Sequence, residues 1–147
     1  MAVFRRLPGP LRRGVVHTAT PCYTVGAVVV LRRDDNRIAL VEQRHSPGWA
    51  LPGGLVKRGE SPTSGLVREV AEELGVTLDA GALPVPYAAV NALVRRVDVV
   101  FCVDAPPGVQ LQSEDDVEVT GVGWFPLDAL PEISEPTQEI LRAVRLL

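Results

Sequence analysis

The stretch GLVKRGESPTSGLVREVAEELGV, residues 54–76, constrains the fold more than any other part of the chain. It reads as a loop, a helix start, a helix and a stop. Ser61 suits the N-cap, Pro62 the first helical position, and Gly75 the residue just past the end. Leu66, Val67, Val70 and Leu74 recur at helical spacing, so one stripe faces a core. Gly65 costs about 1 kcal/mol relative to alanine and is read as permitting close packing against a sheet. Glu69, Glu72 and Glu73 stand at i, i+3 and i+4 and share another face. At about 100° per residue, that face is centred roughly 120° from the apolar stripe. Like charges there repel by a few tenths of a kcal/mol per pair, so removing one charge should leave the metal-free chain unharmed. A divalent cation would reverse the repulsion, and all-oxygen ligands suit Mg²⁺ or Mn²⁺. Taken alone, three helical glutamates read equally as a solvated face.

The neighbouring residues decide between these readings. Gly54, five residues, Glu60, seven residues, Arg68-Glu69-Val70, one residue, Glu72-Glu73, one residue, Gly75-Val76 resembles the Nudix box in full. Seven identities and two apolar positions match by chance on the order of 10⁻⁸ per chain, so the signal is specific. Trp49-Ala-Leu-Pro-Gly53 before the box and Trp124-Phe-Pro-Leu-Asp128 near the end are similar to the family too. The resemblance covers about residues 22–130. It implies an α/β fold, a Nudix-type α/β/α sandwich around a mixed β-sheet.

It also implies roles. Glu72 and Glu73 are expected as direct metal ligands, with Glu69 a third ligand or the base. The backbone carbonyl of Gly53 is expected on the same metal. Arg68 should position the carboxylates by hydrogen bonds, and Glu60 should support the site from behind or through water. Glu118, six residues before Trp124, matches a loop glutamate that reaches the metals in several Nudix enzymes. It is expected as a ligand or as the base, on a flexible loop.

The whole chain bounds the rest. Its 147 residues suit one folded unit, and a hydrophobic fraction of 46% is that of an ordinary globular protein. A net charge of −3 argues against binding a nucleic-acid polymer. The apolar runs 25–31 and 97–103 are strand length and too short to span a bilayer. No signal-peptide core is apparent, and Cys22 and Cys102 lack metal spacing. They read as reduced, buried thiols of a cytoplasmic protein.

Residues 1–20 read as a basic arm broken by Pro8-Gly9-Pro10, and the resemblance implies a Nudix domain over residues 21–147. The arm reads as a packing segment, or else as a homodimer contact or a phosphate-attracting patch. Residues 23–31 and 38–44 read as a hairpin around Asp34-Asp35-Asn36. Residues 87–93 and 97–103 read as a second strand pair turning near Arg95-Arg96. A strand to Trp124, a short helical turn at 127–130, and a terminal helix over 137–147 follow. That helix carries Ile140, Leu141, Val144 and Leu147 on one stripe. His45, Trp49, Arg95 and Arg96 are candidate substrate contacts, each readable instead as packing or as an exposed loop.

The implied activity is metal-dependent hydrolysis of a nucleoside diphosphate linked to another group. A nucleoside triphosphate is the first candidate substrate, and ADP-ribose or a nucleotide-sugar the second. The alternative is a Nudix-fold regulator that binds a nucleotide without cleaving it.

Overall fold

The computed structural model describes residues 22–115 and 117–147. The basic arm, and the dimer contact read into it, lie outside those residues. The elements in order are β1 (Thr24–Arg32), β2 (Arg37–Gln43), β3 (Trp49–Ala50), β4 (Gly53–Leu55) and α1 (Pro62–Leu74). A 3-10 turn (Ala80–Ala82), β5 (Tyr87–Asn91), β6 (Arg96–Asp104), β7 (Val119–Pro126) and α2 (Glu135–Ala143) complete the described chain.

β1 and β2 form the expected hairpin, and Asn36 takes φ 62° in its turn. The two strands pair only at Arg32 and Ile38 and then part. β1 runs parallel to β6 along its whole length, from Thr24 beside Arg96 to Arg32 beside Asp104. β2 runs antiparallel to β7, and β5 closes the far side of β6. The fork between β1 and β2 is filled by β3, paired to β2, and β4, paired to β1. Pro52, Gly53 and Gly54 therefore sit in the wedge of a split, mixed sheet. Val29 N–H donates to the Pro52 carbonyl at 2.9 Å. Gly53 has φ 136°, and a Cβ there would lie 2.2 Å from the Ala27 carbonyl oxygen. Only glycine fits that approach.

Strand alternation divides the core into two layers. Ala27, Val29, Leu31, Ala39 and Val41 face Leu66, Val70 and Leu74 of α1. Val28, Val30, Ile38 and Leu40 face Ile140 and Leu141 of α2. The fold is an α/β/α sandwich, as the resemblance implied.

α1 begins and ends where its caps dictate. Ser61 Oγ accepts from Ser64 N–H at 3.1 Å, and Gly75 takes φ 66°. Gly65 departs from its expected role: a Cβ there would meet the Glu60 carboxylate at 3.1 Å, not the sheet.

Four sequence expectations shift. α2 runs over Glu135–Ala143, not 137–147, because Pro136 is tolerated in the first turn and Arg145 takes φ 60° beyond the end. Leu147 is consequently exposed and Leu146 packs against the core in its place. β5 stops at Asn91, whose side-chain oxygen accepts from Leu93 N–H at 3.1 Å and starts a turn. Residues 127–130 form a turn without a helix, with Ala129 N–H donating to the Pro126 carbonyl. Cys22 is exposed and Cys102 only half-buried, so the expectation of two buried thiols fails.

Candidate active site

The acidic helix is not one solvated face. Glu72 is exposed, Glu69 is half-buried, and Glu73 is only 5% exposed. Glu73 lies seven residues after Leu66, which brings it within about 20° of that core position. Treating the three glutamates as a group hid this, and each residue's own angle would have revealed it. Inside, Glu73 has two donors: Gly53 N–H at 2.8 Å and the Gln43 side-chain amide at 3.0 Å. Those bonds tie α1 to the wedge and to the end of β2. Gln43 is a site residue the sequence did not single out.

Arg68 gathers the other carboxylates. It grips Glu60 with two bonds, Nε to Oε1 at 2.8 Å and Nη2 to Oε2 at 3.1 Å. Its Nη1 donates to Glu69 at 2.6 Å and to Glu72 at 3.2 Å. Glu60 also accepts from Lys57 N–H, so the loop before the helix is fastened to Arg68. The Arg68 guanidinium, aided by that N–H, pulls the Glu60 carboxyl down to about 2. The bond to Glu60 in turn raises the Arg68 pKa. These bonds gather Glu60, Glu69 and Glu72 on one guanidinium.

Burial pushes the Glu73 carboxyl up to about 7, against the opposing pull of its two donors. This predicts a pH dependence for the metal-free protein. Between about 4.5 and 7 the unfolded chain releases a proton that the folded chain keeps. Unfolding free energy therefore falls as pH rises through that window, by at most about 3 kcal/mol. Denaturant titrations in EDTA at pH 5 and pH 8 should show the fall, and Glu73→Gln should flatten it. A parent protein whose stability is level or rising across the window would contradict the account.

The Glu69 carboxylate rests against the wedge, where a Cβ on Gly54 would meet its Oε1 at 2.6 Å. Glycine at 54 thus makes the space that this carboxylate fills. The donors gathered there, carboxylates and backbone, are hard oxygens of the kind Mg²⁺ or Mn²⁺ takes. Among the described residues, no three His, Cys, Asp or Glu side chains already form a metal-holding group. Glu73 turns inward to Gly53 N–H while Glu69 and Glu72 lean on Arg68. The donor chemistry fits a divalent cation.

A cleft of about 410 Å³ opens on the α2 side of the wedge, lined in part by Gln43, Gly53, Gly54, Arg96 and Asp98. Gln43 and Gly53 join it to Glu73. A hollow of about 200 Å³ adjoins it, formed by Gln43, His45, Ser46 and Glu118. Glu118 has an exposed side chain but a tied backbone. Its N–H donates to Asp115 Oδ1 at 3.0 Å, and its carbonyl accepts from Arg44 N–H at 2.9 Å. The flexible loop expected there is fastened at Glu118 itself.

The other candidates divide. His45 lies in the hollow, and Arg96 lines the cleft with its Nε on Asp98 at 2.8 Å. Arg95 is exposed in the β5–β6 turn and lines neither space. Trp49 packs edge-on against Phe125 with ring centres 4.6 Å apart, outside the cleft lining. Asp98 is a cleft residue that sequence reading passed over. The signal was there: a lone charge inside the apolar run 97–103.

The model of the NUDIX domain family matches residues 23–144, most of the chain. The chain belongs to the Nudix family. It is 33% identical over 130 residues to a MutT-like protein of Streptomyces ambofaciens, spanning 88% of this chain and 79% of that one. It is 30% identical over 113 residues to an ADP-ribose pyrophosphatase of Methanocaldococcus jannaschii, spanning 74% of this chain and 65% of that one. Among solved structures, a MutT Nudix hydrolase of Burkholderia pseudomallei matches with a TM-score of 0.68 and 30% identity. That match covers 82% of this chain and 97% of the other. The box residues of this Nudix hydrolase are the ones gathered around Arg68 and the wedge. No helix among the described residues is long and apolar enough to cross a membrane.

Proposed function

We propose that this Nudix hydrolase cleaves the pyrophosphate bond of a nucleoside diphosphate linked to another group, using Mg²⁺ or Mn²⁺. A nucleoside triphosphate is the first candidate substrate, and ADP-ribose or a nucleotide-sugar the second. One observation carries the reading: carboxylates ordered by Arg68 meet the Gly53-Gly54 wedge at the end of a nucleotide-sized cleft. Glu69, Glu72, Glu73 and the Gly53 carbonyl would hold the cation, with Glu118 completing the set or serving as base. Bound there, the cation would neutralise charge on phosphate oxygens and lower the pKa of an attacking water.

The chain's own residues do the rest. Arg68 keeps Glu69 and Glu72 at one edge of α1, and its grip on Glu60 stops it from swinging away. Glu118 accepts the proton of the attacking water at its carboxylate. Its rival Glu69 already accepts a hydrogen bond from Arg68 Nη1 at 2.6 Å. Glu118 has no cationic partner among the described residues. A cytoplasmic location suits both the substrates and a partly buried thiol at Cys102.

The second reading is binding without cleavage. A panel of nucleoside triphosphates, ADP-ribose and nucleotide-sugars separates the two. With millimolar Mg²⁺ or Mn²⁺ in ¹⁸O-labelled water, phosphorus NMR should find a cleaved substrate and the phosphorus that gains ¹⁸O. Binding without turnover across the panel and both metals would establish the regulator.

A further inference from the structure

β5 stands at the edge of the sheet. Among the described residues it pairs with β6 and with no other strand, so one row of its backbone N–H and C=O groups faces outward. Such a row is a template for a further strand. Chains that stay apart blunt their edges with charge, with proline inside the strand or with a bulge. β5 has none of these. Its register with β6 runs unbroken from Tyr87 beside Val100 to Asn91 beside Arg96. Pro86 precedes the strand and leaves its interior free. No charged residue occurs from Val85 to Val94, a stretch that reads VPYAAVNALV.

The side chains along that edge are apolar and open. Val85, Tyr87, Val90, Leu93 and Val94 are 90%, 57%, 64%, 96% and 66% exposed. They do not stand singly. Val25, Val97 and Val90 form one row across β1, β6 and β5, on the face where α1 packs further along the strands. Val25 is exposed too, so α1 leaves this corner of the sheet uncovered and the row runs to the free edge. At roughly 150 Å² or more per large side chain, the five exposed residues offer about 600 Å² per copy, the low end of specific interfaces.

Charge says what the occupant is. A strongly acidic or basic partner would find nothing complementary on an uncharged strip. A second copy would. The chain carries a net charge of −3, so two copies repel at most approaches and meet without repulsion where charge is absent. A contact of one patch with itself must also match its own image about a two-fold axis. A strand does so when it runs antiparallel to its copy.

We propose that β5 is the contact of a homodimer, in which two copies pair antiparallel along Tyr87–Asn91 about a two-fold axis at Ala89 and join their sheets. Asn91 and Val94 line the cleft, so the second copy stands at its rim. The contact goes beyond the hydrolase reading and does not depend on it.

Sedimentation velocity of the full-length protein from about 1 to 500 µM should show monomer passing to dimer, because an interface of this size makes a weak, reversible contact. Tyr87→Lys and Ala88→Lys each put a charge at an exposed edge position and should hold the protein monomeric throughout, with circular dichroism reporting that it is folded. Amide exchange read by mass spectrometry locates the contact. In the parent, peptides covering 85–94 should exchange about 10-fold more slowly at the highest concentration than at the lowest, and in the variants at one rate. The parent's concentration dependence stands as a test by itself. A parent that is monomeric at the highest concentration overturns the proposal. So does a dimer that survives in both folded variants, since its contact then lies elsewhere. Slow exchange in β5 that ignores concentration overturns it as well, since another segment of the same chain then covers the edge.

Discussion

Glu72→Gln is expected to lower kcat by about 10³-fold or more, with no measurable loss of stability in the metal-free protein. Metal-assisted charge neutralisation supplies several kcal/mol to a phosphoryl reaction, and each 1.4 kcal/mol is about tenfold in rate. The Glu72 side chain makes one hydrogen bond among the described residues, with Arg68 Nη1 at 3.2 Å, and is exposed. Exposed ion pairs of this kind are worth about 0–1 kcal/mol. Glu73→Gln should damage turnover as severely, but there the stability readout differs. Glu73 is buried with two donors, so the variant's stability loses its pH dependence. The two substitutions together separate a carboxylate that only binds from one that also builds the site. A Glu72→Gln enzyme with near-parent kcat would remove Glu72 from the metal.

Glu118→Gln should reduce kcat by about 10²-fold or more, the usual scale for losing a general base. A base needs a carboxylate oxygen open to the attacking water. Glu69 is held by Arg68 Nη1 at 2.6 Å, whereas the exposed Glu118 carboxylate has no hydrogen-bond partner among the described residues. The neighbouring acidic residues provide the control. Glu114→Gln should do little. Asp115→Asn should also do little, although Asp115 is not idle. Its Oδ1 accepts from Val117 N–H at 2.9 Å and Glu118 N–H at 3.0 Å, and asparagine keeps that oxygen. Asp115→Ala removes it and should loosen Glu118, so that kcat falls with it. If Glu118→Gln turns over normally while Glu69→Gln is dead, the base belongs to the helix.

Much of this was legible in the sequence, for reasons that are local. The caps of α1 follow from Ser61, Pro62 and Gly75, and its core stripe follows from 3.6-residue periodicity. The hairpin followed from the β-branched runs around Asp34-Asp35-Asn36. The box residues cluster because one helix and one loop carry them. What escaped depends on contacts between distant segments. The splitting of β1 from β2 is set by the wedge that enters between them, and no local pattern announces it. The burial of Glu73 depends on Gly53 and Gln43, which are 20 and 30 residues away. Gly65 was read against the sheet, but it faces Glu60, which arrives from the preceding loop. α2 starts two residues before the expected 137 because Pro136 suits the first turn, and it stops at Ala143 with Arg145 at φ 60° beyond it.

The most direct test of the central claim is a metal titration of substrate hydrolysis by the parent enzyme and Glu72→Gln, with phosphate-bearing products quantified at each step. The account predicts no turnover in EDTA, turnover that rises and saturates with Mg²⁺ or Mn²⁺ in the parent, and loss of that response in the variant. Turnover that persists in EDTA, or a metal response unchanged by Glu72→Gln, would contradict it.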